Sequence, residues 1–319
     1  MTRSATRHLV DPELLALLDM WPQVTLTHEV LPQLRGAARL PIPIPPDLPP
    51  VAMSARTIAG PEGAPDIGLL VYRPEGATDA LGCILHIHGG GYVMGDAAPL
   101  EPVHKAIAGE LGCVIVSVNY RLAPETRFPG AVEDCYAALA WLSANAAELG
   151  VDPARIGVMG ESAGGGLAAG LALLTRDRGE HALAFQQLIY PMLDDRTCVA
   201  DEPHPFTGEF IWTPHNNHFG WSALLGVAPG SPEISPYAAA ARAESLEDLP
   251  PTYMSTGALD LFLEEDLEYA RRLIRAGVPV ELHVYPGAFH GFELLPTATV
   301  ARAARRDRLN WLAKALAPA

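Results

Sequence analysis

Ile156-Gly157-Val158-Met159-Gly160-Glu161-Ser162-Ala163-Gly164-Gly165-Gly166-Leu167 is the stretch on which the reading of this chain turns. A short apolar run leads into a serine flanked by small residues, and a helix-compatible segment leaves it. A passage that sharp from strand to helix needs small neighbours for the backbone to pass. The serine then sits on a strained turn with its hydroxyl projecting over a sheet edge, as in the G-x-S-x-G nucleophile elbow. The bare pattern also arises as an ordinary turn in a chain with 29 glycines; the strand before it and the helix after it point to chemistry.

A serine hydroxyl is a poor nucleophile until a base takes its proton, and the oxyanion it forms needs donors already aimed at it. His88-Gly89-Gly90-Gly91-Tyr92 closes the apolar run 83–88 and exposes backbone N–H groups with no side chain in the way. Gly90 and Gly91, with Ala163 directly after the serine, are the expected oxyanion donors. His86 and His88 also form an H-x-H pair of the kind found in metal hydrolases, but no third ligand is placed to complete such a site. The acid and base are expected in the order Ser, Asp, His, each in a loop just past a strand. Asp260 follows the run 252–256 and His290 follows the run 280–285, so Ser162, Asp260 and His290 form the candidate triad. Asp266 is the alternative acid, although Glu264, Glu265 and Asp266 read more simply as the start of a helix, where negative charge complements the dipole. His283 lies within its strand and reads as structural.

Outward from this core, apolar runs at 69–72, 83–88, 113–119, 156–159, 187–190, 252–256 and 280–285 alternate with helical patterns, the βαβ signature of a parallel sheet wrapped by helices. Helices are predicted over 131–149, stopped by Gly150, and 264–276, stopped by Gly277. The expected fold is α/β: a mostly parallel, eight-stranded sheet flanked by helices, with a helical cap. Residues 1–50 differ from the rest, with an amphipathic helix over 12–20 and then a proline-rich connector over 41–50. Residues 194–248 are too long for a simple crossover and hold Phe206, Phe210, Trp212, Phe219 and Trp221. Residues 51–319 therefore read as one catalytic domain, and the two irregular segments as the parts of a composite cap. The aromatics either form the core of that cap or line an apolar pocket.

Composition narrows the function. The 319 residues are 49% hydrophobic and 18% charged, which suits a compact fold rather than extended disorder. A formal charge of −15 has the wrong sign for nucleic acid or an anionic membrane surface. Lys105 and Lys314 are the only lysines, and neither completes a phosphate-binding loop or an S-x-x-K motif. Cys83, Cys113, Cys135 and Cys198 are widely spaced and read as reduced, buried thiols. The first 22 residues carry Asp11, Glu13 and Asp19, unlike a signal peptide, so a cytoplasmic location is expected. His204, His215 and His218 are too irregularly spaced to read as a metal cluster.

Taken together, His88-Gly89-Gly90-Gly91-Tyr92, Asn119-Tyr120-Arg121-Leu122-Ala123-Pro124-Glu125, Phe128-Pro129-Gly130, Asp134-Cys135-Tyr136, Gly160-Glu161-Ser162-Ala163-Gly164-Gly165 and Pro286-Gly287-Ala288-Phe289-His290-Gly291 resemble the hormone-sensitive-lipase-like branch of the α/β-hydrolases, and within it the bacterial carboxylesterases. The resemblance runs from Asp11 to His290. It implies Ser162, Asp260 and His290 as the triad, Gly90, Gly91 and Ala163 as the oxyanion hole, and a cap built from the N-terminal helices and the insertion. It also implies acyl transfer on small-molecule esters without a cofactor, and a homodimer with the strand at 280–285 as the candidate surface. The same machinery would also suit amides, lactones or carbonates; a non-catalytic binder is the reading from outside enzymology. Two positions depart from the pattern. Asp260-Leu261-Phe262-Leu263-Glu264 stands where many relatives have D-P-L-R-D, and Gly166 stands where many have Asn. Glycine lowers helix propensity by about 1 kcal/mol relative to alanine, so Gly166 predicts a looser first turn.

Overall fold

The computed structural model describes residues 5–21, 23–36 and 49–318; most of the proline-rich connector lies outside them. Eight strands, β1 (Val51–Ile58), β2 (Ile67–Pro74), β3 (Leu81–Ile87), β4 (Val114–Asn119), β5 (Val151–Glu161), β6 (Gln186–Ile189), β7 (Thr252–Gly257) and β8 (Val280–Tyr285), form one sheet in the order β1-β2-β4-β3-β5-β6-β7-β8. β1 and β4 each pair antiparallel with β2, and all other neighbours are parallel. Nearly all of β3 and β4 is buried on both faces, which is why these strands read as continuous apolar runs rather than alternating ones. Alternate residues of β3 feed two apolar layers. Cys83 and Leu85 join Leu139, Leu171 and Leu273 from helices Gly130–Ala144, Ala163–Arg178 and Leu263–Arg275. Ile84 joins Ile107 and Leu312 from helices Glu101–Leu111 and Thr299–Ala315.

The sequence reading has no counterpart for β1. Its side chains are mostly exposed, so no apolar period marks it; its full register against β2, from Val51 opposite Pro74 to Ile58 opposite Ile67, holds it in place. The predicted helix 131–149 is two helices, Gly130–Ala144 and Ala146–Leu149, with Gly150 closing the second in the left-handed region at φ 61°. The N-terminal helix begins as a 3-10 turn, Pro12–Leu14, capped by the Asp11 side chain, and continues as Leu15–Met20. The insertion is mostly irregular around one helix, Pro214–Leu225.

The N-terminal segment and the insertion contact each other. Asn216 accepts from the Leu26 N–H and donates to the Val24 carbonyl, both at 2.9 Å, and the His28 and Phe219 rings lie 5.1 Å apart. Arg35 donates to the carbonyls of Val93 and Ala123, each at 2.7 Å, tying the same segment to the loops that follow β3 and β4. Among the described residues no helix is long and apolar enough to cross a membrane.

Candidate active site

The end of β5 delivers Ser162 at φ 56° and ψ −123°, a conformation that a residue with a side chain holds only when its surroundings impose it. Three backbone bonds do so: the Ser162 N–H donates to the Ile189 carbonyl at 2.9 Å, and the Ser162 carbonyl accepts from Gly166 and Met192, each at 3.0 Å. The hydroxyl lies 2.9 Å from Nε2 of His290, and Nδ1 of His290 lies 2.9 Å from Oδ2 of Asp260. The network places the imidazole proton on Nδ1, which donates it to the carboxylate in a hydrogen bond, leaving Nε2 as the acceptor facing the serine. Asp260 is fully buried, and its other oxygen accepts the Phe262 N–H at 3.0 Å. Tyr190, Phe262 and Trp212 surround the imidazole at ring-centroid distances of 4.8, 5.1 and 6.3 Å. The structure therefore brings Ser162, Asp260 and His290 together; Asp266 is not hydrogen-bonded to the imidazole.

Beside the serine, the turn after β3 carries Gly90 and Gly91 in the left-handed half of the backbone map, at φ 127° and 60°. Neither their N–H groups nor that of Ala163, the first residue of its helix, has a hydrogen-bond partner among the described residues. Such amides can receive a developing negative charge without first giving up another bond. Gly91 is also needed for space: a Cβ there would lie 2.1 Å from Cη2 of Trp212. The turn is braced by His88, whose Nδ1 bonds the Gly89 carbonyl at 2.9 Å while its ring stacks on Tyr120 with centroids 4.3 Å apart. The Tyr120 hydroxyl donates back to the His88 carbonyl at 2.8 Å. Burial pushes the His88 pKa down to about 4, which keeps the imidazole neutral and fits a brace rather than a proton carrier.

Below the elbow, Oε2 of Glu161 lies 2.9 Å from Nε2 of His86, whose Nδ1 lies 2.9 Å from the Ser117 hydroxyl. Burial opposes ionisation of Glu161, but His86 and Arg308 outweigh it and hold the carboxyl below its usual range. Among the described residues no three His, Cys, Asp or Glu side chains are grouped to hold a metal ion. His283 lies on β8 beside Glu281, at 2.9 Å, away from the triad.

Two expectations change. Gly166 has a packing reason besides its helix propensity: a Cβ there would come within 2.1 Å of the Met192 carbonyl oxygen and 2.5 Å of the Tyr92 hydroxyl, so glycine lets the helix close against the turn after β3. Glu265 and Asp266 do fall in the first turn of their helix, but both are buried rather than complementing the dipole from the surface. Tyr92 is a residue sequence reasoning did not single out. It stands at φ 66°, and its hydroxyl donates to the Met192 carbonyl at 2.9 Å; its place directly after three glycines is the only signal it carries. The cap aromatics divide: Phe210, Trp212 and Trp221 are buried, Phe219 is half-buried and Phe206 is exposed.

Comparison with known proteins agrees with this geometry. Residues 84–294 match the family described as alpha/beta hydrolase fold. A carboxylesterase of Mycobacterium tuberculosis, NlhH, is 37% identical over 289 residues, covering 89% of this chain and 88% of its own. The solved structure of a bacterial heroin esterase is 40% identical and covers 98% of this chain and 99% of its own, with a TM-score of 0.89. That of a thermostable esterase from Pseudomonas putida is 28% identical with full coverage of both chains and a TM-score of 0.84. The sheet order, the elbow and these matches together show that the chain belongs to the alpha/beta-hydrolase family, in its hormone-sensitive-lipase-like branch.

Proposed function

We propose that this protein is a serine carboxylesterase that hydrolyses short- to medium-chain acyl esters through an acyl-enzyme intermediate. The observation that carries the reading is the unbroken hydrogen-bonded chain from Ser162 Oγ through His290 to Asp260, beside three amides with no hydrogen-bond partner among the described residues. Nε2 of His290 takes the hydroxyl proton as Ser162 Oγ attacks the ester carbonyl carbon. The carbonyl oxygen becomes an oxyanion held by the N–H groups of Gly90, Gly91 and Ala163. As the intermediate collapses, His290 returns the proton to the departing alcohol oxygen, leaving the acyl group on Ser162. Water then repeats the sequence: its oxygen attacks the acyl carbon as His290 takes its proton, the bond from that carbon to Ser162 Oγ breaks, His290 returns the proton to Ser162 Oγ, and the carboxylic acid departs. Asp260 orients the imidazole throughout, and no step requires a cofactor.

The relatives named as esterases support an ester substrate. The contacts between residues 24–28 and the insertion support a composite cap over the site, with the hydrolase domain spanning 51–319. β8 is the last strand of the sheet, and this exposed edge supports a homodimer formed by pairing β8 with β8 of a second copy; light scattering that gives the monomer mass at micromolar concentration would count against it. Four free cysteines support a cytoplasmic setting.

The test is a series of nitrophenyl esters from C2 to C16, run on wild type and Ser162→Ala in parallel. Loss of about 10⁶ in kcat is expected for the variant. Retention of most activity would refute the nucleophile, and a wild-type maximum at C12 or longer would refute the chain-length reading.

A further inference from the structure

Residues 190–197, which leave the end of β6, contact Ser162, His290 and Tyr92. Tyr190 stands edge-on to the His290 ring, and its N–H donates to the Ser255 carbonyl at 2.6 Å. Two residues on, the Met192 N–H donates to the Ser162 carbonyl, and the Met192 carbonyl accepts the Tyr92 hydroxyl of the oxyanion turn. The outer end of this strap is fixed by the ion pair of Asp195 with Arg242, at 2.6 Å. Glu265 holds the strap on either side of that pair. One carboxylate oxygen of that residue accepts the N–H of Leu193 at 2.6 Å and of Asp194 at 3.2 Å, and the other is hydrogen-bonded with the Thr197 hydroxyl.

Glu265 is 7% exposed and lies in the first turn of Leu263–Arg275, the helix that opens directly beyond the Asp260 loop. The Asp260 side chain accepts the Phe262 N–H, and the Phe262 carbonyl accepts the Asp266 N–H, so hydrogen bonds tie the acid to the start of this helix. A buried carboxyl with all its bonds made resists displacement, because moving it would leave two amides without partners in a dry interior.

We propose that Glu265 is a positioning residue of the hydrolytic site, holding the strap that contacts Ser162, His290 and Tyr92 in register with the helix that carries the Asp260 loop. It acts through its neighbours and touches no reacting atom. Burial pushes its carboxyl well above the usual range, against the opposing pull of Thr197 and Leu193, so a glutamine reproduces the acceptor that binds the two amides. The proposal rests on Ser162, Asp260 and His290 being the working triad.

The experiment compares wild type, Glu265→Ala, Glu265→Gln and Thr197→Val on nitrophenyl acetate, with active sites counted by stoichiometric release from a nitrophenyl phosphonate. Glu265→Ala is expected to lower kcat per titrated site about 10²-fold, the scale of an ångström misplacement of reacting groups, with KM changed far less. Glu265→Gln is expected to restore most of that loss, and Thr197→Val, which removes one bond and keeps the shape, to lower kcat per site several-fold. Equal kcat per site in wild type and Glu265→Ala, or Gln no better than Ala, would overturn the proposal. Should Glu265→Ala fail to fold, a Thr197→Val enzyme equal to wild type overturns it instead. A wild type that the phosphonate does not titrate marks failure of the esterase reading itself.

Discussion

Gly91→Ala tests whether the cap and the oxyanion turn are built against each other. The new methyl carbon would lie 2.1 Å from Cη2 and 2.8 Å from Cζ2 of Trp212, and residue 91 would still have to hold φ 60°. The left-handed backbone costs a residue with a side chain about 1–2 kcal/mol, and overpacking of this kind adds about 1–3 kcal/mol. The turn escapes by shifting, which carries the Gly91 N–H away from the oxyanion. Loss of one such donor lowers kcat by about 10²–10³. Gly63→Ala is the control, at φ 76° with nothing within 4 Å of the new carbon; it should lose stability for backbone reasons alone and keep its kcat. In Gly91→Ala/Trp212→Phe the indole atoms that collide are gone, so the double variant should recover activity by a coupling of about 1–3 kcal/mol. Steady-state kinetics on nitrophenyl acetate with thermal melts of wild type, Gly91→Ala, Gly63→Ala, Trp212→Phe and the double variant decide it. A Gly91→Ala enzyme within threefold of wild type, or strictly additive effects in the pair, would refute the contact as the reason for glycine.

Acid should unfold the protein in part through His88. Its folded pKa of about 4 lies below the ordinary 6.5, so the unfolded chain binds the proton more readily; the stability is whole above pH 6.5 and lost as pH falls towards 4. The loss is about 1 kcal/mol at pH 5.5 and about 3 kcal/mol at pH 4. His88→Asn keeps a donor for the Gly89 carbonyl and should show a shallower decline in urea-unfolding free energy between pH 7 and pH 4; parallel declines would exclude His88 as a cause. Trp212→Ala should widen the site between Gly91 and His290 and raise kcat/KM for bulky esters relative to nitrophenyl acetate; an unchanged ratio would remove Trp212 from the wall of the pocket.

What was legible in the sequence is what short-range chemistry dictates. The elbow announces itself because only small residues let a strand turn into a helix around a serine, and the apolar runs of β3 and β4 announce buried parallel strands. Gly150 ended a helix where expected because it supplies a left-handed residue that needs no distant partner. By contrast, β1 carries no apolar period and exists through its pairing with β2. Glu265 looks in sequence like one more acid in the first turn of a helix; only the fold buries it beneath the amides of Leu193 and Asp194. Gly166 looks like a weak helix residue until the Met192 carbonyl is found against it. By itself, then, the sequence indicated the order of the buried elements and pointed to Ser162, Asp260 and His290 as the candidate triad. The tertiary structure alone decided that Ser162 and His290, 128 residues apart, share one hydrogen bond, and that of the five aromatics singled out in the insertion Trp212 stands beside the His290 ring. Turn and strand preferences are properties of a few adjacent residues, whereas contacts between distant ones are set by how whole layers pack, which no local pattern encodes.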